Sequence, residues 1–130
     1  FVAHELENVD NIGMRHRKKG KKFHRVTGRR RSFLRNLVAN LIRDERIETT
    51  ETRAKAIRPL MEKLVTIGKK QNLAARRLLL KRLHNKDIVE KLYGELAPRY
   101  QERAGGYLRV VKSAKARKRD GARLATIEFV

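Results

Sequence analysis

The chain has 130 residues, with 34 Lys and Arg against 14 Asp and Glu and a formal net charge of +20. It contains no cysteine, which excludes disulfides, thiolate metal sites and thiol nucleophiles. No apolar run approaches the ~18 residues that a bilayer span requires, and the N-terminus lacks the order of a secretory signal. These features predict a soluble, intracellular protein with one domain and a polyanionic partner.

The positive charge is concentrated in two segments. Residues 14–31 carry ten Lys and Arg and no acid, and residues 112–123 carry six Lys and Arg against one Asp. Residues 1–13 have three acids and no Lys or Arg. Because residues 14–26 show no hydrophobic period, we predict an extended basic arm there, followed by one globular domain over residues 27–130.

The first helix is predicted from Thr27, whose hydroxyl can cap its start. Its apolar positions recur at helical spacing and form one face: Phe33, Leu34, Leu37, Val38, Leu41 and Ile42. Residues 44–49 alternate weakly around Ile47, which fits either a short strand or a turn.

The second helix is predicted to begin at Thr49 or Thr50 and to end near Gly68. Pro59 lies inside it, and its missing amide and ring clash predict a kink or a break just before it. The stripe predicted to be buried consists of Ala54, Ile57, Leu60, Met61, Leu64, Val65 and Ile67.

Two further helices and two strands follow. Asn72 can cap the third helix, and Asn85 or Asp87 can cap the fourth, which Pro98 is predicted to stop. Residues 107–111 and 124–129 are rich in β-branched and aromatic side chains and predict two strands. The basic stretch containing Asp120 and Gly121 lies between these strands and predicts a long hairpin tip.

The arm and the hairpin tip are the candidate nucleic-acid contacts. Lys and Arg neutralise phosphates and release condensed counterions, whereas a solvated or localisation-type tail is the alternative interpretation of the arm. His16 and His24 have no neighbouring Cys or acid, so we interpret them as nucleic-acid contacts or exposed spacers and not as metal ligands. Arg76, Arg77, Lys81 and Arg82 form a basic stripe on the third helix, which either extends this surface or is an ordinary solvated face.

The candidate nucleic-acid-binding residues are Arg15, His16, Arg17, Lys18, Lys19, Lys21, Lys22, His24, Arg25, Arg29, Arg30, Arg31, Arg76, Arg77, Lys112, Lys115, Arg117, Lys118 and Arg119. Charge in irregular extensions is typical of proteins that fit between packed RNA helices, whereas a DNA reader usually presents a compact recognition helix. Structured RNA is therefore the favoured partner. A free RNA chaperone or a nucleoid-type protein is the alternative that the charge alone supports.

No catalytic constellation is present in the sequence. Ser32 and Ser113 are the only serines, and neither has a Gly-x-Ser-x-Gly frame. The acids Asp44, Glu45, Glu48 and Glu51 alternate with arginines, which favours a solvated ion-pair surface over the metal site of a small nuclease. We predict no enzymatic activity, no cofactor, no membrane association and no small-molecule substrate.

Several strings resemble the family of bacterial large-subunit ribosomal protein seventeen. They are MRHRKKGKK from Met14, RRRSFLRNLVANLI, IETTETRAKAIRPLMEKLVTIGKK, IVEKLYGELAPRYQERAGGYLRVVK and the final LATIEFV. The resemblance covers residues 14–130 in order. It implies an α/β fold of the α+β type, with about four helices packed on a small three-stranded mixed sheet whose third strand is residues 47–49.

The resemblance also implies a function. It predicts a cytoplasmic structural constituent of the large ribosomal subunit that binds large-subunit rRNA near the polypeptide exit tunnel, beside neighbouring ribosomal proteins, in support of translation. Residues 1–13 lie outside the family pattern and are acidic, so they are not a transit peptide. We interpret them as a misassigned start or a fused leader.

Overall fold

The computed structural model describes Phe23 and residues 25–130. The chain divides into two compact units, Phe1–Arg30 and Arg31–Val130. The elements in chain order are helix α1 (Thr27–Asp44), strand β1 (Arg46–Thr50), helices α2 (Glu51–Lys69), α3 (Leu73–Leu83) and α4 (Lys86–Lys91), a π-helical turn (Leu92–Leu96), helix α5 (Ala97–Arg99), and strands β2 (Leu108–Ala116) and β3 (Arg123–Phe129).

Helix α1 begins at Thr27, the residue where the apolar period predicted its start. Thr27 is the first helical residue, so it lies one position after the cap and is not the cap that the sequence predicted. Its Oγ1 lies 3.5 Å from Arg30 Nη2. The backbone amide of Arg30 donates to the carbonyl of Val26 at 2.8 Å and closes the first turn. At the other end, Glu45 takes a left-handed φ of 63°, which ends the helix before β1.

Helix α2 continues through Pro59 without interruption, which corrects the predicted break. Thr50 caps its start, since its Oγ1 accepts from the amide of Arg53 at 3.3 Å. Pro59 is exposed, while Ile57 and Met61 on either side of it are fully buried in the core. Packing on both sides of the proline therefore outweighs the lost hydrogen bond, and the carbonyl left without a donor lies on the exposed face.

The asparagine caps of the next two helices are confirmed. Asn72 Oδ1 accepts from the amide of Ala75 at 2.7 Å at the start of α3. Asn85 Oδ1 accepts from the amides of Asp87 and Ile88 at 3.0 and 3.3 Å at the start of α4, which decides between the two predicted caps. A side-chain oxygen thus satisfies first-turn amides that have no intrahelical partner.

Pro98 does not stop the last helix, contrary to the prediction, because a π-helical turn precedes it. The amide of Ala97 donates to the carbonyl of Leu92, five residues back, so the helix widens by one residue in this turn. The amide that Pro98 lacks would have extended this pattern to the carbonyl of Tyr93. That carbonyl instead accepts from Gln71 Nε2 at 2.9 Å, so α4, the π-helical turn and α5 form one continuous helical stretch.

The three strands form one sheet in the order β1-β3-β2, and both neighbouring pairs are antiparallel. The predicted third strand is confirmed as β1, but the predicted mixed sheet is wrong. Strands β1 and β2 run in the same direction, yet β3 lies between them and opposes both. The hairpin return places β3 in the centre, so no parallel pair forms.

The β2–β3 hairpin has longer strands and a shorter tip than the sequence predicted. Strand β2 continues to Ala116, so Lys112 and Lys115 lie on the strand and only residues 117–122 form the tip. Lys112 pairs with Ala125 and Ala116 pairs with Arg123, so residues 113–115 lie opposite Leu124 alone. This bulge interrupts the ladder midway along the hairpin.

The core lies between the helices and the inner face of the sheet. Ala125, Ile127 and Phe129 alternate along β3 and are buried, and α2 packs against β2 and β3. Most of the core is aliphatic, and an aromatic group supplements it at the sheet end, where the Tyr100 ring centroid lies 5.5 Å from that of Tyr107. The predicted α+β class with four helical stretches is confirmed for the described part of the chain.

No helix between Thr27 and Arg99 is both long and apolar enough to cross a membrane.

Candidate nucleic-acid interface

Eleven of the nineteen predicted binding residues lie in the described part of the chain. Those outside the described residues are Arg15, His16, Arg17, Lys18, Lys19, Lys21, Lys22 and His24. The described ones fall into three groups: the start of α1, the β2–β3 hairpin and helix α3.

The start of α1 holds three cations of the first unit. Arg25 Nη1 donates to the carbonyl of Phe23 at 2.9 Å, and Arg30 Nη1 donates to the carbonyl of Arg25 at 3.3 Å. Arg29 is exposed and makes no ion pair with any described residue. No acid occurs in the first turn of α1.

The hairpin tip is built by an ion pair and presents further cations. The Arg117 guanidinium donates to both Asp120 carboxylate oxygens, at 3.1 and 2.5 Å. These bonds, followed by the donation from the Ala122 amide, lower the pKa of Asp120. Gly121 takes a φ of 65°, which closes the turn at little steric cost.

The remaining hairpin cations differ in their surroundings. Lys112 Nζ lies 3.7 Å from Glu51 Oε1 of helix α2. Lys115, Lys118 and Arg119 are exposed and form no ion pair within the described residues. Three of the five predicted hairpin residues therefore have uncompensated positive charges, whereas Arg117 and Lys112 are engaged within the protein.

The predicted stripe on α3 is not a single stripe. Arg76 forms an ion pair with Glu90 of α4, whereas Lys81 lies on another side of the helix, about 140° away around the axis for a five-residue step. Arg77 is exposed on the side opposite the buried Leu79. The four cations therefore do not share one surface, because Arg76 is paired with Glu90, whereas Lys81 and Arg82 line a groove on another side of the helix.

Helices α1, α2 and α3 enclose a basic groove that the sequence did not reveal. The cavity has a volume of about 610 Å³. The charged and titratable side chains that line it are Arg31, Arg35, Lys63, Lys81, Arg82 and His84. Only Arg31 of these was a predicted binding residue. Lys81 and Arg82 belong to the basic stripe that the sequence indicated as a possible extension of the surface, and Arg31 and Arg35 have i, i+4 spacing. The approach of these cations to Lys63 depends on tertiary packing.

The acidic cluster between α1 and α2 is largely used in ion pairs. Glu45 Oε1 accepts from Arg99 Nη1 at 2.7 Å, and its Oε2 lies 3.3 Å from Lys91 Nζ. The hydrogen bond from Arg99 is the main cause that lowers the pKa of Glu45. Glu51 pairs with Lys55 at 2.8 Å, and Asp44 pairs with the neighbouring Arg43. The arrangement favours an ion-pair surface, and no group of three or more potential metal-ligating side chains converges among the described residues.

The fold and these surfaces together define a small, strongly basic α+β domain suited to a polyanion. The chain belongs to the ribosomal protein L17 family, whose model matches residues 33–130. The family is structural and ribosomal, not enzymatic. The family resemblance seen in the sequence is thus confirmed.

Relatives from several bacteria cover most of the chain. The large ribosomal subunit protein bL17 of Thermodesulfovibrio yellowstonii is 48% identical over 117 residues, which are 90% of this chain and 87% of that protein. The protein of the same name from Persephonella marina is 51% identical over 118 residues, 90% of this chain and 95% of that protein. The protein of the same name from Desulforamulus reducens is 49% identical over 110 residues, which are 85% of this chain and 97% of that protein.

Proposed function

We propose that this chain is a structural constituent of the large ribosomal subunit in the bacterial cytoplasm. It binds and stabilises large-subunit rRNA near the polypeptide exit tunnel, beside neighbouring ribosomal proteins, in support of translation. The basic arm over residues 14–26 and the hairpin contact phosphates at separate places on the rRNA. The folded core sets the geometry of the hairpin contacts and contributes no catalysis.

The observation that carries this proposal is the set of uncompensated cations on the hairpin of a chain from a ribosomal family. An exposed Lys or Arg beside an acid gains some Coulomb energy within the protein, but Lys115, Lys118 and Arg119 have no such partner among the described residues. Their charge is available for phosphates, whose neutralisation releases counterions. Several other exposed bases of the adjoining sheet and helix do pair with acids, as Arg109 does with Glu128 at 3.2 Å.

The test compares two triple-alanine variants that lose the same charge. The first removes Lys115, Lys118 and Arg119. The control removes Lys55, Arg58 and Arg109, which pair with Glu51, Glu62 and Glu128. We expect the hairpin variant to bind large-subunit rRNA more weakly and its salt dependence to become shallower by about 0.7–0.9 in log–log slope for each phosphate that it no longer neutralises. Equal weakening in both variants would indicate non-specific binding by net charge and would contradict the proposal.

The location is tested with a single tethered probe. Because the chain has no cysteine, Ser113→Cys creates one thiol to which an iron chelate can be attached. Hydroxyl radicals generated there in assembled large subunits should cut rRNA at the exit-tunnel end. Cuts confined to a distant rRNA region would exclude the proposed location while leaving the rRNA-binding role intact.

A further inference from the structure

The basic groove between α1, α2 and α3 has a chemistry that phosphate binding alone does not explain. Its rim carries five Lys and Arg side chains and no acidic side chain, whereas its apolar lining consists of Leu34, Val38, Leu60, Leu64 and Leu83. Val38, Leu64 and Leu83 belong to the buried core, and Leu60 is 38% exposed. A phosphate pressed against this apolar lining would lose its hydration without gaining hydrogen bonds.

We infer that the groove binds an unpaired rRNA nucleotide, with its base against the leucine floor and its flanking phosphates on the cationic rim. This inference rests on the proposed function and identifies the kind of RNA element that the site takes. Bases that are not stacked in a helix have flat apolar faces, and proteins commonly bind them by stacking and by Arg guanidinium contacts.

The size and charge of the groove favour this occupant over an RNA duplex. A cavity of about 610 Å³ falls within the range of pockets that enclose a small organic ligand, roughly 300–1,000 Å³. The edge of a duplex presents phosphates and ribose hydroxyls, which would leave the leucine floor uncovered. Rim cations from three helices, Arg35 of α1, Lys63 of α2 and Arg82 of α3, surround the floor and can hold the backbone as it turns in and out.

The backbone at one side of the groove is fixed in place. His84 takes a left-handed φ of 58° after the end of α3, and its amide donates to the carbonyl of Leu80 at 2.9 Å. Its imidazole lines the groove beside Leu83 and supplies the aromatic surface of the lining. The imidazole can stack on a base or hydrogen-bond to its edge.

The experiment uses 2′-hydroxyl acylation of rRNA in assembled large subunits that contain the full chain. Leu60→Glu places a carboxylate on the floor of the groove, and Leu73→Glu is the matched control, because Leu73 is an exposed leucine, 58% accessible, outside the groove. We expect one or two unpaired nucleotides to gain reactivity by about fivefold or more with Leu60→Glu, as stacking of one base on a protein contributes about 1–3 kcal/mol. Leu73→Glu should leave the same nucleotides unchanged.

A second variant tests the same groove without a substitution that could disturb folding. Lys63→Ala combined with Arg82→Ala changes only exposed side chains and should increase the reactivity of the same nucleotides. Unchanged reactivity with both groove variants at full occupancy, or changes confined to base-paired rRNA, would overturn the inference. Failure of the unaltered chain to enter large subunits would instead refute the proposed function itself.

Discussion

At the level of single residues, Gly68 shows how closely two helices approach. A Cβ at this position of α2 would lie 2.9 Å from the Cβ of Ala97 and 3.7 Å from Leu79 Cδ1. Ala97 is fully buried and has no flexible side chain that could move aside. The glycine is therefore required by packing, although it is otherwise unfavourable inside a helix.

We expect Gly68→Ala to destabilise the protein. Overpacking costs about 1–3 kcal/mol, which exceeds the gain of about 1 kcal/mol in helix propensity. Gly94→Ala is the control, because nothing lies within 4 Å of a Cβ there, and it should be neutral or stabilising by up to about 1 kcal/mol. Denaturant unfolding of both variants measures the difference, and similar effects at the two positions would contradict the packing argument.

Glu45 makes the stability sensitive to acid. Its pKa in the folded state is lowered from the ordinary value of 4.5, mainly by the hydrogen bond from Arg99. A lowered pKa contributes stability that is present above the pKa of the unfolded state and is lost as pH falls through the pKa of the folded state. The loss therefore begins near the ordinary carboxyl range and is complete below it.

Glu45→Gln should reduce the free energy of unfolding at pH 7 and make it fall less steeply between pH 7 and pH 3. Glu48→Gln is the control, since Glu48 is exposed and forms no ion pair with a described residue. Some acid dependence should remain, because the pKa values of Glu51 and Asp120 are lowered as well. Urea titrations at several pH values test this, and a Glu45→Gln protein with the original pH profile would rule out the assignment.

At the level of elements, the π-helical turn depends on a side chain from another loop. Gln71 Nε2 donates to the carbonyl of Gly68 at 2.8 Å and to that of Tyr93 at 2.9 Å. One amide group thus joins the end of α2 to the turn in which Pro98 leaves a carbonyl without its helical donor. Gln71 supplies the donor that Pro98 lacks, whereas the helix with Pro59 remains continuous because of the packing on both sides of the proline.

Removing this amide should weaken the helix pair. We expect Gln71→Ala to lower the free energy of unfolding by about 1 kcal/mol, since water can replace part of the lost bonding at this exposed site. Gln71→Glu keeps the shape but directs a carboxylate at two carbonyls and at the negative end of α2, so it should cost at least as much. A fully stable Gln71→Glu protein would show that the two hydrogen bonds contribute nothing.

The elements also show what could be predicted from the sequence. Most helix starts and faces were predictable because caps and apolar spacing act within one or two turns, as at Thr50 and Asn72. Two such predictions were wrong, since Thr27 lies inside α1 and Leu60 of the predicted buried stripe is 38% exposed. The effects of Pro59 and Pro98 were not, since packing and a carbonyl bonded by a distant Gln71 decide them. The sheet type and the groove around Lys63 and Arg82 depend on which distant segments meet, and local pattern does not contain that information.

At the level of the whole molecule, core and charge are divided along the chain. Every buried residue of the described chain lies at position 38 or later, and residues 31–130 still carry 25 Lys and Arg against 11 Asp and Glu, a net charge of +14. The second unit therefore contains the described core together with the hairpin and the groove.

A chain that lacks residues 1–26 should therefore fold with a Tm within about 4 °C of the full chain, a shift that corresponds to less than about 1 kcal/mol. The same truncation should abolish stable incorporation into large subunits, because it removes the predicted arm. Calorimetry and sucrose-gradient occupancy measure the two effects. Normal occupancy of the truncated chain would contradict the role of the arm.

The interrupted hairpin ladder has a consequence for the protein before it meets its partner. Strand β2 is a nine-residue edge strand, and a long, flat edge strand is a template for pairing with another copy. The bulge at residues 113–115 and the exposed Lys112 and Lys115 make this edge irregular and positively charged. We therefore expect this charged and irregular edge to disfavour edge-to-edge pairing of free copies before assembly.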